Sequence, residues 1–152
     1  MASKSAGILL YRIKDKELEV LLVHPGGPFW KNKDDGSWSI PKGEFDESEK
    51  PLDAALREMK EEVGLELKGN FIELTPVKQK SGKLVYAWAL EYDFDPSNIK
   101  SNTFEIEWPP KSGKKKEFPE IDKAVWFDVK SAAKKIIGAQ VSLIDELFKK
   151  IH

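Results

Sequence analysis

The composition is that of an ordinary globular protein, since 40% of the 152 residues are apolar and 34% are charged. The chain is long enough for one hydrophobic core, and its net charge of -1 lacks the basic excess of a general nucleic-acid binder. With no cysteine and only two histidines, disulfides, zinc–thiolate sites and histidine-based metal sites are excluded, so the chemistry must use carboxylates.

No segment of the sequence has the pattern of a membrane span or an export signal. The chain contains no run of about 18 apolar residues, and its amino terminus lacks a charged and then apolar leader. We therefore expect a cytoplasmic protein that has no membrane partner and forms a single domain over residues 1–152.

The first part of the chain predicts strands and then a long loop. Residues 5–13 and 18–24 are apolar and rich in β-branched side chains, and the charged residues between them predict the turn of an antiparallel hairpin. Residues 25–36 are rich in Gly, Pro, Asn and Asp and predict a loop. Residues 38–42 then lead to a glycine loop and an acidic helix.

That helix is predicted over Pro51–Val63, because proline suits the first helical position and Gly64 suits the left-handed residue that follows a helix. Apolar residues recur at three- and four-residue steps and form one stripe toward a core: Leu52, Ala55, Leu56, Met59 and Val63. Glu58, Glu61 and Glu62 lie together on the flank of this stripe.

Three neighbouring carboxylates on one helix repel one another, so stability alone does not explain their spacing. A divalent cation would turn the repulsion into attraction. Magnesium and manganese prefer hard oxygen ligands, and carboxylates on a rigid helix supply them while leaving coordination places for water and substrate phosphates. The helix therefore predicts a site for Mg²⁺ or Mn²⁺ rather than a merely solvated acidic face.

The residues around the helix follow a longer pattern, Gly-x5-Glu-x7-Arg-Glu-U-x-Glu-Glu-x-Gly-U, in which U is apolar. The positions that fit it are Gly43, Glu49, Arg57, Glu58, Met59, Glu61, Glu62, Gly64 and Leu65. This segment, residues 43–65, resembles the Nudix box of the MutT/Nudix family without departure. The resemblance implies the α/β Nudix fold, an α/β/α sandwich with a mixed β-sheet.

After the box, residues 71–80 and 83–92 predict two strands, and the second is apolar on both faces and therefore central. Residues 97–119 are polar, with a short strand predicted at 104–108. A final strand is predicted at 124–127, followed by a helix that Asp128 caps and that runs through Ile137. A last helix follows Gly138, with a core-facing stripe of Val141, Ile144, Leu147, Phe148 and Ile151.

The resemblance also implies roles for the box residues. Nudix enzymes hydrolyse a nucleoside diphosphate linked to another group, through attack of water on phosphorus. Glu58 and Glu62 would be the principal metal ligands, and Glu61 a further ligand or a water-orienting group. The backbone carbonyl of Lys42 would be another ligand, and Gly43 would allow the backbone to approach the metal.

Arg57 would orient a glutamate through a bidentate pair, with Glu49 in a similar supporting role. Many family members supply another carboxylate about six residues before a tryptophan that begins the last strand. Glu120 stands in that place, before Trp126. We expect Glu120 to be the general base or a further metal ligand, with Glu117 as the alternative base.

Substrate contacts are predicted on both sides of the box. Residues 38–43, Trp-Ser-Ile-Pro-Lys-Gly, resemble the Trp-x-x-Pro-Lys-Gly segment of dinucleoside polyphosphate hydrolases and of some diphosphoinositol polyphosphate hydrolases. Trp38 and Lys42 are therefore candidate substrate contacts, with the lysine facing phosphate oxygens. Lys111 and Lys114 belong to a lysine-rich stretch, residues 111–116, that would extend a basic rim for a longer polyphosphate, although a solvated loop is the alternative.

Aromatic side chains outside the box are candidates to stack on a base, because stacking tolerates different bases. They are Trp30, Tyr86 and Trp108, and a position in the core is the alternative for each.

The function predicted from the resemblance is metal-dependent hydrolysis of a diphosphate bond in a small-molecule nucleoside polyphosphate, either a dinucleoside polyphosphate or a nucleoside triphosphate. One alternative is a catalytically silent module that binds a nucleotide. Another is hydrolysis of a different diphosphate, such as ADP-ribose, a diphosphoinositol polyphosphate or capped RNA. A silent module would be expected to lose a box glutamate, and this chain has all of them.

Overall fold

The centre of the molecule is a mixed six-stranded sheet in the computed structural model, which describes residues 3–99 and 101–152. The strands are β1 (Lys4–Lys14), β2 (Glu17–Pro25), β3 (Lys42–Phe45), β4 (Ile72–Lys78), β5 (Leu84–Glu91), β6 (Thr103–Glu107), β7 (Lys115–Pro119) and β8 (Ile121–Asp128), and the helices are α1 (Pro51–Val63), α2 (Val129–Lys135) and α3 (Val141–Ile151). The order in the sheet is β4-β5-β1-β2-β8, with β3 also paired to β1, while β6 and β7 pair separately.

Alternate residues of β1 face opposite layers, as the period of two in a strand requires. Ile8 and Leu10 belong to the core cluster under α1, whereas Leu9 belongs to the cluster under α2 and α3. All three side chains are fully buried. The sheet is therefore covered by helices on both faces, and the predicted α/β/α sandwich with a mixed sheet is confirmed.

The predicted amino-terminal hairpin is present, with Tyr11 opposite Val20 and Ile13 opposite Leu18. In its turn, Asp15 and Lys16 both have positive φ, 51° and 67°. Positive φ at both central residues is typical of the two-residue hairpin turns whose twist matches that of the flanking strands. The prediction that the strand near residues 83–92 is central is also confirmed, because β5 pairs in parallel with β1 and antiparallel with β4.

The box helix α1 begins and ends where the sequence predicts. Pro51 occupies the first turn, and Gly64 has a φ of 80° with its N–H directed at the carbonyls of Lys60 and Met59. Its apolar stripe packs against β1, and Ala55 and Met59 are fully buried. This contact fixes the direction in which the box glutamates point.

The glycine loop before α1 is instead a short strand. Residues Lys42–Phe45 form β3, which pairs antiparallel with the amino-terminal half of β1, so that Gly43 lies opposite Ala6. In the described register, β2 pairs with β1 only from Tyr11 onward, whereas β3 pairs with earlier residues of β1. Four residues that include a glycine carry too little hydrophobic pattern for such a strand to be predicted.

The polar stretch 97–119 is partly a hairpin. The short strand predicted at 104–108 is present as β6, but it pairs with β7, which covers lysines that were predicted to lie in a loop. The alternative of a solvated loop was wrong for Lys115 and Lys116, because pairing with β6 gives them strand conformation. Residue 100 lies outside the described residues.

The last elements follow the prediction with shifted bounds. β8 begins at Ile121, and Asp128 caps α2 by accepting a hydrogen bond from the Ser131 N–H at 2.8 Å, but the helix ends at Lys135 rather than Ile137. The predicted stripe of α3 was wrong at Phe148, which is 43% exposed, because Leu143 takes its place in the core. No helix within the described ranges has both the length and the apolar character needed to cross a membrane.

Candidate active site

Gly43 and Glu58 approach each other closely between β3 and α1. A Cβ atom on Gly43 would lie 2.0 Å from the Glu58 carboxyl carbon and 2.1–2.2 Å from its oxygens. Only glycine leaves room for a carboxylate there. From the sequence, we expected Gly43 to let the backbone approach a metal. The structure shows that the Glu58 side chain by itself requires a glycine at this position.

Arg57 joins the carboxylates of the box. Its Nε and Nη2 atoms donate to the two oxygens of Glu49, each at 2.9 Å, and this is a bidentate pair. Its Nη1 donates to Glu58 at 2.8 Å and to Glu61 at 3.2 Å. The hydrogen bonds to Glu49, with contributions from Glu58, raise the pKa of Arg57 above its usual range. One guanidinium therefore fixes the orientation of three glutamates.

Glu62 is held by the backbone of β3 and lies half-buried near other carboxylates. The Lys42 N–H donates to its Oε2 at 3.1 Å. Burial, followed by the charges of Glu58 and Glu120, raises the pKa of Glu62 to about 8. The pKa of Glu58 is also raised, chiefly by burial. Carboxylates that oppose one another's ionisation in this way create a region in which a bound cation is favoured.

A cavity of about 220 Å³ opens beside these groups. Its charged lining residues are Lys42, Glu62 and Glu120, and its apolar lining includes Val23, Ile40, Ile121, Ile137 and the partly exposed Trp30. Clefts that enclose a whole small ligand usually measure roughly 300–1,000 Å³. This cavity therefore holds only one portion of a ligand.

Glu120 reaches the cavity from the base of the β6–β7 hairpin. Its N–H donates to the Asn102 carbonyl at 2.9 Å, and its carbonyl accepts from the Gly26 N–H at 2.9 Å. Burial and the charge of Glu61 raise the pKa of Glu120. The backbone on both sides thus fixes a loop carboxylate beside Glu62.

Lys42 contributes a positive group to the same cavity. Burial, followed by repulsion from Lys83, lowers the pKa of Lys42. Lys83 itself pairs with Glu44 at 2.9 Å. A lysine facing both carboxylates and open space is suited to an anionic ligand.

Trp38 was predicted to contact substrate, but the structure places it in the core. The side chain is 5% exposed, its ring meets Phe127 edge-on at 5.1 Å, and its indole N–H donates to Asp34 at 2.9 Å. Its apolar surface is already covered, so this tryptophan supports the loop and does not face a ligand.

Tyr86 lies in a different groove from Glu62 and Glu120. Its ring packs against Phe45 at 5.9 Å, and the groove is lined by four carboxylate residues, Glu44, Asp46, Glu47 and Glu49. This acidic lining opposes phosphate binding, so the structure does not bring Tyr86 into the cavity with the other candidates.

Three further candidates lie on the hairpin, away from the cavity. Glu117 is exposed on β7 and accepts a hydrogen bond from the Thr103 hydroxyl. Lys111 and Lys114 are exposed in the turn between β6 and β7, where their N–H groups donate to Glu107 and Ser112. None of the three lines the cavity, so Glu120 is the better placed of the two predicted bases.

Gln140 is a supporting residue that the sequence analysis missed. It is fully buried, its Oε1 accepts from the Ile40 N–H at 3.1 Å, and its Nε2 donates to Ser39 and Gln79 at 3.1 Å each. These bonds hold the segment that leads to Lys42. A single glutamine between two helices carries no local signal of this role.

The donor set fits a divalent cation, although the side chains are engaged with other partners. Within residues 3–99 and 101–152, no three acidic or histidine side chains converge as a ready ligand group. Arg57 holds oxygens of Glu58 and Glu61, and the Lys42 N–H holds one of Glu62. Each carboxylate still has free lone pairs, and hard oxygen donors of this kind suit Mg²⁺ or Mn²⁺.

Fold and site together define an α/β/α sandwich with an acidic helix, α1, packed on one face of its sheet. A family model described as the NUDIX domain matches residues 1–147, and the chain belongs to this family. Over 110 residues the chain is 33% identical to the bis(5'-nucleosyl)-tetraphosphatase [asymmetrical] of Rattus norvegicus, and the match covers 62% of this chain and 69% of the relative.

A second relative is the RNA pyrophosphohydrolase of Bartonella tribocorum (strain CIP 105476 / IBS 506). It is 30% identical over 109 aligned residues, and the match covers 62% of this chain and 58% of the relative. The chain thus spans less than two thirds of that protein's length.

Solved structures agree on the fold. The Ap4A hydrolase of C. elegans in a binary complex superimposes with a TM-score of 0.67 at 22% identity, and the match covers 99% of this chain and 98% of that one. The NUDIX domain of Shewanella oneidensis NrtR, in complex with ADP ribose, gives a TM-score of 0.70 at 16% identity, over 100% and 90% of the chains.

Proposed function

We propose that this protein is a divalent-metal-dependent pyrophosphohydrolase that cleaves a diphosphate bond in a nucleoside polyphosphate. The observation that carries the proposal is the meeting of Glu62, Glu120 and Lys42 in one cavity, with Glu58 buried beside them. Paired carboxylates and a lysine at a cavity are suited to hydrolysis of an anionic substrate.

Glu58 and Glu62 would be the principal ligands of the ion, with Glu61 and the Lys42 carbonyl as further ligands. When bound, Mg²⁺ or Mn²⁺ would neutralise phosphate oxygens and lower the pKa of the attacking water. Arg57 would keep Glu58 and Glu61 in position through the hydrogen bonds described above.

The residues of the chain would divide the reaction between them. Lys42 would bind a phosphate oxygen, while Glu120 would accept a proton from water as the new oxygen–phosphorus bond forms. The bond from phosphorus to the bridging oxygen would break, and the leaving phosphate would carry away the electron pair. The raised pKa of Glu120 makes it a stronger base than an ordinary glutamate, which suits it for accepting this proton.

The names of the relatives support a nucleotide substrate. One relative is named for nucleosyl tetraphosphates and the other for RNA. The two substrates share a nucleoside joined to a chain of phosphates. Dinucleoside polyphosphates and nucleoside triphosphates both have that chemistry, and we propose this class for the present chain.

The test is a magnesium-dependent hydrolysis screen with products identified by mass. The substrates would be diadenosine tetraphosphate, ordinary and oxidised nucleoside triphosphates, ADP-ribose and a diphosphoinositol polyphosphate. Glu62→Gln should lower turnover by more than about 100-fold. Loss of a group that only supports a metal ligand commonly lowers metal affinity or activity 10- to 100-fold, and loss of a ligand itself should cost more. Glu66→Gln is the control, since Glu66 pairs with Lys60 on the surface.

Wild-type turnover in Glu62→Gln would overturn the assignment of Glu62. No turnover of any substrate by the wild-type protein, together with measurable nucleotide binding, would favour a binding module instead of an enzyme.

A further inference from the structure

Trp30 is a partly exposed tryptophan at the edge of the catalytic cavity. It is 39% exposed and lines the same cavity as Glu62 and Glu120. The Lys33 ammonium lies 5.2 Å from the centre of its ring. A large aromatic side chain in this position leaves apolar surface in water that a flat ligand would cover.

We infer that Trp30 stacks on the base of the substrate nucleoside, and this inference rests on the function proposed above. We also infer that the β6–β7 hairpin holds the loop that carries Trp30, residues 26–36 and called here the Trp30 loop, in place for this contact. The substrate is then one that carries an aromatic base, and not an inositol polyphosphate or another diphosphate without one.

The dimensions of the cavity agree with this division of the substrate. Its volume of about 220 Å³ is less than a whole nucleotide-sized ligand requires. Lys42 and the carboxylates suit the phosphates, whereas Trp30 at the edge suits the base, which projects toward solvent. Stacking on an aromatic face is favourable for every base, so Trp30 selects for a base without selecting which one.

Close contacts fix the Trp30 loop to the hairpin. A Cβ on Gly26 would lie 2.1 Å from the carbonyl oxygen of Pro119, and one on Gly27 would lie 2.8 Å from the ring of Phe104. Phe29, the neighbour of Trp30, meets Trp108 edge-on at 5.7 Å. The loop therefore lies against both the base of the hairpin and the residue that follows β6.

Backbone hydrogen bonds join the same loop to the catalytic helix. The Asn102 N–H donates to the Glu61 carbonyl at 3.0 Å, the Glu120 N–H donates to the Asn102 carbonyl at 2.9 Å, and the Gly26 N–H donates to the Glu120 carbonyl at 2.9 Å. These bonds do not depend on side-chain rotamers. They set the position of the Trp30 loop relative to Glu120 and Glu61.

The other aromatic candidates are less suited to the contact. Trp38 is 5% exposed, and Tyr86 faces a groove lined by carboxylates. Trp108 contacts Phe29 edge-on, which makes it a positioning residue that acts through the loop. Trp30 is the aromatic residue that lines the cavity with Glu62.

The experiment compares ligands with and without a base. Trp30→Ala should raise KM for diadenosine tetraphosphate by about tenfold or more and change kcat little, because stacking acts on binding. Trp30→Phe should restore most of the affinity. Hydrolysis or binding of inorganic tripolyphosphate, which has no base, should not change. Tyr86→Ala is the matched aromatic control and should leave KM for both ligands unaltered.

The hairpin is tested by a double-mutant cycle. Trp108→Ala should raise KM for diadenosine tetraphosphate, whereas adding it to Trp30→Ala should have no further effect, because both changes remove the same contact. Additive effects would show that the hairpin acts independently of Trp30. Circular dichroism of each variant checks that the fold is retained.

If the protein hydrolyses none of the substrates, the proposed function is wrong. Stacking of Trp30 on a base can then still be tested by calorimetry with ATP and tripolyphosphate. Weaker binding of ATP alone in Trp30→Ala would then support stacking. Equal weakening of both ligands, or no change in either, would overturn it in the enzyme and in a binding module alike.

Discussion

The box helix α1 and the β6–β7 hairpin are built in opposite ways. Around α1, a guanidinium, a buried helix face and a strand backbone hold the glutamates, so several constraints fix their positions. The two hairpin strands pair only with each other among the described strands, and most of their side chains are exposed. The hairpin joins the site at its base, through Asn102 and Glu120.

This difference separates two kinds of effect. Changes around α1 displace the groups that react, so they should act on kcat and on the energetics of the buried carboxylates. Changes on the hairpin alter the position of the loop that carries Trp30, or the surface charge of the hairpin, so they should act on KM. The predictions below test that division, beginning with the largest expected effect.

The half-buried carboxylate Glu62 should make the metal-free protein less stable as the pH rises. Burial and neighbouring carboxylates raise its pKa to about 8, from the ordinary value of 4.5 that the unfolded chain retains. Between these values the folded state binds more protons than the unfolded state, so the free energy of unfolding falls as pH increases. Glu62→Gln should remove this fall and stabilise the metal-free protein at pH 8 by on the order of a few kcal/mol.

Thermal unfolding in chelator between pH 5 and 9 measures this effect. Glu66→Gln is again the control, because Glu66 is exposed and paired with Lys60. A Glu62→Gln variant with the same pH dependence as the wild type would show that Glu62 ionises normally.

Gly43→Ala should damage catalysis far more than it damages the fold. The new Cβ would overlap the end of the Glu58 side chain, which can move, so the cost to stability is small. A shift of about 1 Å in a catalytic group can cost about 100-fold in rate, and we expect a fall in kcat of that size. Gly138→Ala is the control, since a Cβ there meets no atom within 4 Å. A normal kcat in Gly43→Ala would mean that the Glu58 position is not critical.

Arg57→Lys should have a smaller effect on the same network. Lysine keeps the charge but cannot reproduce the bidentate pair with Glu49. We expect kcat to fall by about tenfold, the lower end of the range for residues that orient metal ligands. Arg12→Lys is the control, because Arg12 donates hydrogen bonds to Glu19 and Asp93 and does not line the cavity. This variant should leave kcat unchanged. Equal losses in both variants would point to general destabilisation.

Replacing Lys111 and Lys114 together by alanine should have the smallest effect. Both lysines are exposed at the hairpin turn and neither lines the cavity, so they act through screened charge. We expect KM for long polyphosphates to rise by less than about threefold at low salt, and not at all at high salt. A large rise that persists in high salt would place these lysines in direct contact with substrate.

Local patterns were sufficient to predict the box helix α1. Proline at its start, Gly64 at its end and the apolar stripe all describe contacts within a few residues, so their consequences are readable from neighbouring positions. The same holds for the amino-terminal hairpin, whose strands and turn are adjacent in the chain.

Sequence patterns did not predict segments whose conformation depends on residues outside the segment itself. β3 has strand conformation because β1 offers it a free edge, and β7 because β6 lies beside it. Trp38 and Trp30 carry the same side chain eight residues apart, yet one is covered by Phe127 and the other opens on the cavity. Composition does not distinguish these environments.

The sequence by itself determined the helix on which the box glutamates stand and the family, because both are encoded in residue spacing along a continuous segment, and the sandwich fold followed from the resemblance to that family. Only the tertiary structure decided that Glu58 requires Gly43, that Glu120 rather than Glu117 meets Glu62, and that Trp30 lines the cavity. Those facts are distances between residues far apart in the chain, and they are fixed by how the sheet, helix and hairpin pack together.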